Sequence, residues 1–134
     1  IHLGATSMDI VDNADMIRIK EALEIVEKKV VVILNLLANK IEEYSDFPCL
    51  GYTHLQPAEP TTVGYRLAFY AQDLLTTYEF IQFAKKIIKG KGIKGAVGAA
   101  ASYKELLKDK SIDVSELEKK VMKNLGIEAS LITG

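Results

Sequence analysis

The chain has 134 residues, 49% of them hydrophobic, with 17 basic side chains against 18 acidic ones and a formal net charge of -1. That balance excludes the counter-ion-releasing basic surface of a nucleic-acid binder, so no nucleic-acid partner is expected. The single cysteine, Cys49, excludes an internal disulfide and cysteine-pair metal spacing, which fits a reducing, cytoplasmic setting.

The opening Ile1-His2-Leu3-Gly4-Ala5-Thr6-Ser7-Met8-Asp9 ends in a helix start signal, because Thr6 followed three residues later by Asp9 has the form of a capping box. Asp9, Asp12 and Asp15 place negative charge where a helix dipole favours it. Ile19, Leu23, Val26, Val30, Ile33, Leu37, Ile41 and Tyr44 then recur at alternating three- and four-residue steps, predicting one helix over about 9–46. At 1.5 Å per residue that helix is ~50 Å long, more than a compact domain of this size accommodates. Val31, Val32, Leu34 and Leu36 make its middle apolar all round, the pattern of a helix covered by partners on every side. The run from Val30 to Ala38 is much shorter than the ~20 residues a bilayer requires, so no membrane span is expected. A shared, multi-chain bundle accounts for the helix better, and the abrupt ends of the chain read as those of a piece of a longer protein.

All three prolines, Pro48, Pro57 and Pro60, lie in or beside Gly51-Tyr52-Thr53-His54-Leu55-Gln56-Pro57-Ala58-Glu59-Pro60-Thr61-Thr62. Proline fixes its own backbone angle and donates no hydrogen bond, so 47–60 is expected to be a rigid, non-helical connection. A second helix is predicted over about 61–89, with Leu67, Ala71, Leu74, Tyr78, Ile81, Ala84 or Lys85, and Ile88 on one stripe and Gly90 as its cap. A Gly/Ala-rich loop follows at 90–102, too poorly matched to a Walker order to count as a phosphate loop. Short helices are expected within 103–126, the last opened by a Ser115–Glu118 capping box and closed by Gly126. The fold class is all-α, with long antiparallel helices of a helical bundle.

His54 is the chemically loaded residue of the proline segment. A lone loop histidine is more often a hydrogen-bonded structural group than a catalyst. On a stiffened turn between Thr53 and Gln56, however, its ring is fixed for general acid or base work near neutral pH. Thr6 and Ser7 stand before a helix N-terminus, where hydroxyls and free N–H groups bind carboxylate or phosphate, although simple capping explains them equally well.

Three stretches resemble, in order and spacing, the fumarase/aspartase superfamily and its adenylosuccinate lyase family in particular. These are Ile1-His2-Leu3-Gly4-Ala5-Thr6-Ser7-x-Asp9, Gly51 to Gly64, and Gly92-Ile93-Lys94-Gly95-Ala96-Val97-Gly98. The resemblance implies a reversible β-elimination that releases fumarate from adenylosuccinate and from SAICAR, with no metal or organic cofactor. It implies His54 as the general acid that protonates the departing nitrogen, Thr6 and Ser7 as the hydroxyl pair on a substrate carboxylate, and Thr53, Gln56 and His2 as further lining of the site. It also implies a homotetramer whose central helices form one bundle. Two departures stand out. Ala99, Ala100 and Ala101 occupy positions where the family has a threonine and a substrate-binding glutamine nearby. The Ser-Ser-x-Met-Pro-x-Lys-x-Asn loop that carries the catalytic base is not in this sequence. The rival readings are another lyase of the superfamily with a different leaving group, and a non-catalytic helical interaction module.

Overall fold

A computed structural model describes residues 2–134, and the order of its elements is helix, hairpin, helix, then two short helices. Helix α1 spans Ser7–Glu43, strands β1 and β2 span Pro48–Thr53 and Gln56–Thr62, and helix α2 spans Val63–Ile87. Helices α3 and α4 span Ala101–Leu107 and Val114–Leu125. The helical fold class predicted from periodicity is the one observed. The chain forms two compact units, one of residues 23–84 and one joining the residues before 23 to those after 84.

In the 23–84 unit, α1 and α2 run antiparallel. Near the hairpin the Gly64 N–H donates to the Tyr44 carbonyl at 2.9 Å, and towards the other end the Gln82 amide donates to the Glu27 carboxylate. Gly64 is required at the first of these contacts, since a Cβ there would stand 2.8 Å from the Tyr44 carbonyl oxygen. The inward stripe of α1 is Leu23, Glu27, Val30, Leu34, Leu37, Ile41 and Tyr44, a strict alternation of four- and three-residue steps. Val26 and Ile33, counted on the buried face from sequence, are exposed at 46% and 44%, and Leu34 takes the inward place instead. Three- and four-residue steps started one position apart describe faces that overlap, and only packing chooses between them. On α2 the predicted stripe is the observed one. Ile81 is buried, and Leu67, Ala71, Leu74 and Tyr78 are half-buried.

The segment expected to be a rigid, non-helical connection is a two-stranded antiparallel sheet. Pro48 pairs with Thr62, Cys49 with Thr61, Leu50 with Pro60, Tyr52 with Pro57 and Thr53 with Gln56, with a bulge between Leu50 and Tyr52. Pro57 and Pro60 are tolerated because each strand of a lone pair has one edge with no ladder to complete. The Val63 N–H closes the base of the hairpin onto the Phe47 carbonyl at 2.9 Å, where Tyr44 and Phe47 meet edge to face.

The other unit has a small core of Tyr103, Met122 and Ile127, with three buried polar residues, Asp9, Asn13 and Lys91, among its members. Gly90 joins Ala129 in a parallel bridge, its N–H donating to the Glu128 carbonyl and its carbonyl accepting from the Ser130 N–H, both at 2.8 Å. Gly90 is therefore not the left-handed cap of α2, which ends at Ile87. Helix α4 begins two residues earlier than the Ser115–Glu118 pair implies. Its N-cap is Asp113, whose carboxylate accepts from the Glu116 N–H at 2.8 Å, while Gly126 closes it at φ 68° as expected. Glu118 is thereby released for another task. Among the described residues no helix is long and apolar enough to cross a membrane.

Candidate functional site

The sequence-predicted residues divide between the two units. Thr53, His54 and Gln56 sit at the tip of the hairpin, and His2, Thr6 and Ser7 at the entry to α1.

At the hairpin tip, His54 and Leu55 are the two loop residues between the paired Thr53 and Gln56, and both have left-handed backbone, at φ 49° and 62°. Positive φ at both central positions matches the right-handed twist of the strands, and Asn-Gly is the sequence that usually supplies it. An L-residue other than Asn or Gly held there costs roughly 1–2 kcal/mol. Strain of this kind collects at functional sites, where surrounding structure holds it. The turn leaves His54 exposed between the paired Thr53 and Gln56, and Leu55 beside it is 94% exposed. A broad open cleft of about 870 Å³ lies along the hairpin and the first turns of α2, lined by Tyr52, Thr53, Tyr65, Arg66, Phe69 and Asp73 among others.

At the entry to α1, His2 also has left-handed backbone, at φ 46°, and its carbonyl accepts from the Ala5 N–H at 3.1 Å in a turn that delivers Thr6 and Ser7 to the helix start. Only half of the expected capping box forms. The Thr6 N–H donates to the Asp9 carboxylate at 3.3 Å, whereas the Asp9 N–H goes to the Thr6 carbonyl rather than to its hydroxyl. Capping thus does not occupy the Thr6 hydroxyl, and Ser7 is exposed as the first residue of the helix.

What sequence reasoning missed is the polar core beneath these hydroxyls. Asp9, read as a charge for the helix dipole, has a side chain only 1% exposed. Its Oδ1 accepts from the Lys94 and Gly95 N–H groups at 3.3 and 3.2 Å, and its Oδ2 accepts from the Gly95 N–H at 3.2 Å and the Tyr103 hydroxyl at 2.8 Å. Lys91, also buried, places its ammonium 3.5 Å from the same carboxylate and donates to the Gly95 carbonyl. Burial pushes the Asp9 carboxyl up, but hydrogen bonds from the Tyr103 hydroxyl and the Thr6, Lys94 and Gly95 N–H groups outweigh it and hold it below the ordinary carboxylate value. Tyr103 shifts the other way, because burial and the Asp9 carboxylate both oppose its ionisation, and it stays a neutral donor well past its usual range.

One turn further along α1, the Asn13 side chain acts as a second backbone mimic. It accepts from the Gly92 N–H at 3.0 Å and donates to the Gly92 carbonyl at 2.9 Å. On the far side of the loop Glu118 of α4 accepts from the Ile93 N–H at 2.8 Å and from the Lys94 ammonium at 2.9 Å. Gly92 is required between these clamps, at φ +88° and with the Glu118 carboxylate where a Cβ would be. The i, i+4 spacing of Asp9 and Asn13 was the available sequence signal, two short polar side chains on one helical face ahead of an apolar stripe. The first and third motifs of the sequence are thus assembled together: Thr6 and Gly95 donate to the same Asp9 oxygen, so the α1 entry and the glycine loop are immediate neighbours.

The chain matches the family described as Lyase over residues 1–130. It is 41% identical to adenylosuccinate lyase of Saccharomyces cerevisiae over 96% of its own length, 41% identical to that of Schistosoma mansoni over 100%, and 42% identical to that of Methanocaldococcus jannaschii over 99%. It spans 27%, 28% and 27% of those relatives. Among solved structures it superposes on a fumarate lyase from Mesorhizobium sp. BNC1 with a TM-score of 0.85 and 25% identity, covering 98% of this chain and 30% of that one. It likewise superposes on β-carboxy-cis,cis-muconate cycloisomerase from Acinetobacter calcoaceticus sp. ADP1 with a TM-score of 0.84 and 30% identity, covering 99% and 29%. With the strained histidine turn, the hydroxyl-bearing helix entry and the clamped glycine loop all inside the matched span, the chain belongs to the lyase family and counts adenylosuccinate lyases among its relatives.

Proposed function

We propose that this chain supplies part of the active site of an adenylosuccinate lyase, an enzyme that eliminates fumarate from adenylosuccinate to give AMP and from SAICAR to give AICAR. The observation that carries the reading is the hairpin tip, where a strained two-residue turn holds His54 in solvent between Thr53 and Gln56. The similarity to adenylosuccinate lyases along essentially the whole chain supports the choice of substrate.

In this reading His54 is the general acid. A carbon–nitrogen bond breaks as fumarate forms, and the departing nitrogen takes its proton from the imidazole, which relieves the negative charge that would otherwise build there. Thr6 and Ser7, contributed in this reading by another copy of the chain because the 37 residues of α1 stand between them and His54 of their own chain, donate hydrogen bonds to a substrate carboxylate, which stabilises the charge that develops as the adjacent carbon loses its proton. Thr53 and Gln56 line the site beside His54, His2 lines it beside Thr6 and Ser7, and the proton-abstracting base comes from the rest of the polypeptide. The elimination itself calls for no cofactor.

The same reading makes the protein a cytoplasmic homotetramer. The apolar residues that α1 leaves exposed, among them Ile25, Val32 and Leu36 at 57–61%, and the Phe80 and Phe83 side chains of α2 support self-association, since contiguous exposed apolar surface of this kind marks an interface. Fumarate release by the full-length protein from adenylosuccinate, compared with argininosuccinate and malate, tests the activity. Preference for either of the latter would replace this reading with another lyase of the family, and no release from any would leave a helical interaction module. Sedimentation of the 134-residue chain tests the assembly, for which a monodisperse monomer is the contrary result.

A further inference from the structure

The glycine loop is tied to the first turns of α1 by the side chains of Asp9 and Asn13, buried residues only 4% and 3% exposed, which leaves them almost no surface with which to touch a substrate. Asp9 spends both carboxylate oxygens on backbone N–H groups of Thr6, Lys94 and Gly95 and on the Tyr103 hydroxyl, and Asn13 one turn later holds both polar atoms of Gly92. Packing alone would not need this. An apolar core residue at position 9 would avoid the cost of burying a carboxylate and an ammonium, and such pairs seldom add net stability over well-packed apolar groups. What the carboxylate provides is geometry, because one oxygen fixes the Thr6 and Gly95 nitrogens at 3.3 and 3.2 Å from itself.

We propose that Asp9, seconded by Tyr103 and Asn13, is a positioning residue for the elimination, holding the Thr6–Ser7 hydroxyls and the glycine-loop backbone in one fixed arrangement around the substrate carboxylate. This rests on the assignment of Thr6 and Ser7 to that carboxylate. Tyr103 contributes by presenting its hydroxyl to Asp9 Oδ2 at 2.8 Å, which fixes the carboxylate plane. Glu118 holds the opposite side of the loop through the Ile93 N–H and the Lys94 ammonium. The loop is therefore held from α1 and from α4 at adjacent residues. Its exposed tip at Ala96 and Val97 is carried on a base with little freedom.

Two variants of the full-length protein test this, Asp9→Asn and Tyr103→Phe. Asp9→Asn turns one accepting oxygen into a donor facing backbone donors, and Tyr103→Phe removes a single hydrogen bond while keeping the ring in its core. Turnover per folded molecule is measured with adenylosuccinate, alongside amide hydrogen exchange at Lys94 and Gly95. The expected results are a fall in kcat of about 100-fold for Asp9→Asn, in the range a misplacement of about 1 Å produces, with KM nearly unchanged, and a smaller fall of the same kind for Tyr103→Phe. Faster exchange at Lys94 and Gly95 should accompany both. If Asp9→Asn does not fold, Tyr103→Phe alone decides. Unchanged kcat per folded molecule in an active parent enzyme, or unchanged exchange at the two amides, overturns the positioning role. A wild-type protein that releases no fumarate overturns the assignment of function itself, and the positioning role with it.

Discussion

The two regions proposed to carry the chemistry of this chain hold their side chains by opposite means. At the hairpin tip the His54 side chain is exposed. Its direction is set by left-handed backbone at His54 and Leu55 and by the paired strands behind them. At the entry to α1 the half-buried Thr6 and the exposed Ser7 rest on a buried polar core in which Asp9, Asn13 and Lys91 are bonded largely to backbone. A group that must give up a proton can be displayed on a strained turn, whereas groups that must hold charge at fixed distances need a rigid floor. Mutations should therefore act differently in the two places. Changes at the tip should alter chemistry and leave the fold intact, and changes under the helix entry should alter both.

The largest effect is expected from His54→Ala in the full-length enzyme. Removal of a general acid costs about 10²- to 10⁴-fold in turnover, and because the side chain is exposed the melting temperature should not move. Steady-state kinetics checks this. Near-normal kcat would remove His54 from the acid role and with it the functional half of the comparison.

Next in size is Asp9→Ala, which leaves the buried Lys91 ammonium without its carboxylate and should destabilise the 134-residue fold by roughly 3–5 kcal/mol, measured by denaturant unfolding. The pH dependence of stability should show the same group. The folded carboxyl lies below the ordinary 3.8, so the folded state binds its proton less readily than the unfolded chain does. Its contribution is complete above about pH 4 and is lost as the pH falls through the depressed value. Tyr103 behaves in the reverse sense. Its folded value lies above the ordinary 10.0, so its contribution is complete below pH 10 and is lost as the solution is made more alkaline. Tyr103→Phe should abolish the alkaline loss and leave much of the acid loss in place. A wild-type stability that is flat at both extremes would mean that the polar core is not the floor described.

These contrasts also mark what was legible in the sequence. Helix periodicity located α1 and α2 to within a few residues, because a three- and four-residue apolar rhythm is imposed by helix geometry whatever surrounds it. The inward face of α1 was partly misread, since Val26, Ile33 and Leu34 are equally apolar and only a neighbour distinguishes them. The hairpin was hidden by its prolines and by a His-Leu turn in place of Asn-Gly. The buried network was hidden for another reason: its bonds join residues as far as 94 positions apart, and a short polar side chain near a helix start has an adequate local explanation in capping.

A smaller effect separates local from long-range roles in α4. The capping-box pattern points to Ser115 as the cap of α4, and the structure uses Asp113. Asp113→Ala should cost about 1 kcal/mol, the usual loss for an N-cap, while Ser115→Ala, inside the first turn, should be nearly neutral. Thermal melts of the two variants compare them directly, and the opposite order would restore the sequence-based assignment.

The smallest effect bears on the hairpin tip alone. Leu55 is 94% exposed at φ 62°, so its side chain contributes little to the folded chain while its Cβ is strained. Leu55→Gly removes the strain, worth roughly 1–2 kcal/mol, but it also loosens the unfolded chain, which returns about 1 kcal/mol of that gain. The expected outcome is a chain unchanged in stability or more stable by up to about 1 kcal/mol. Clear destabilisation would show that the leucine is held by contacts of its own, and the tip would then belong with the packed helix entry rather than standing as its opposite.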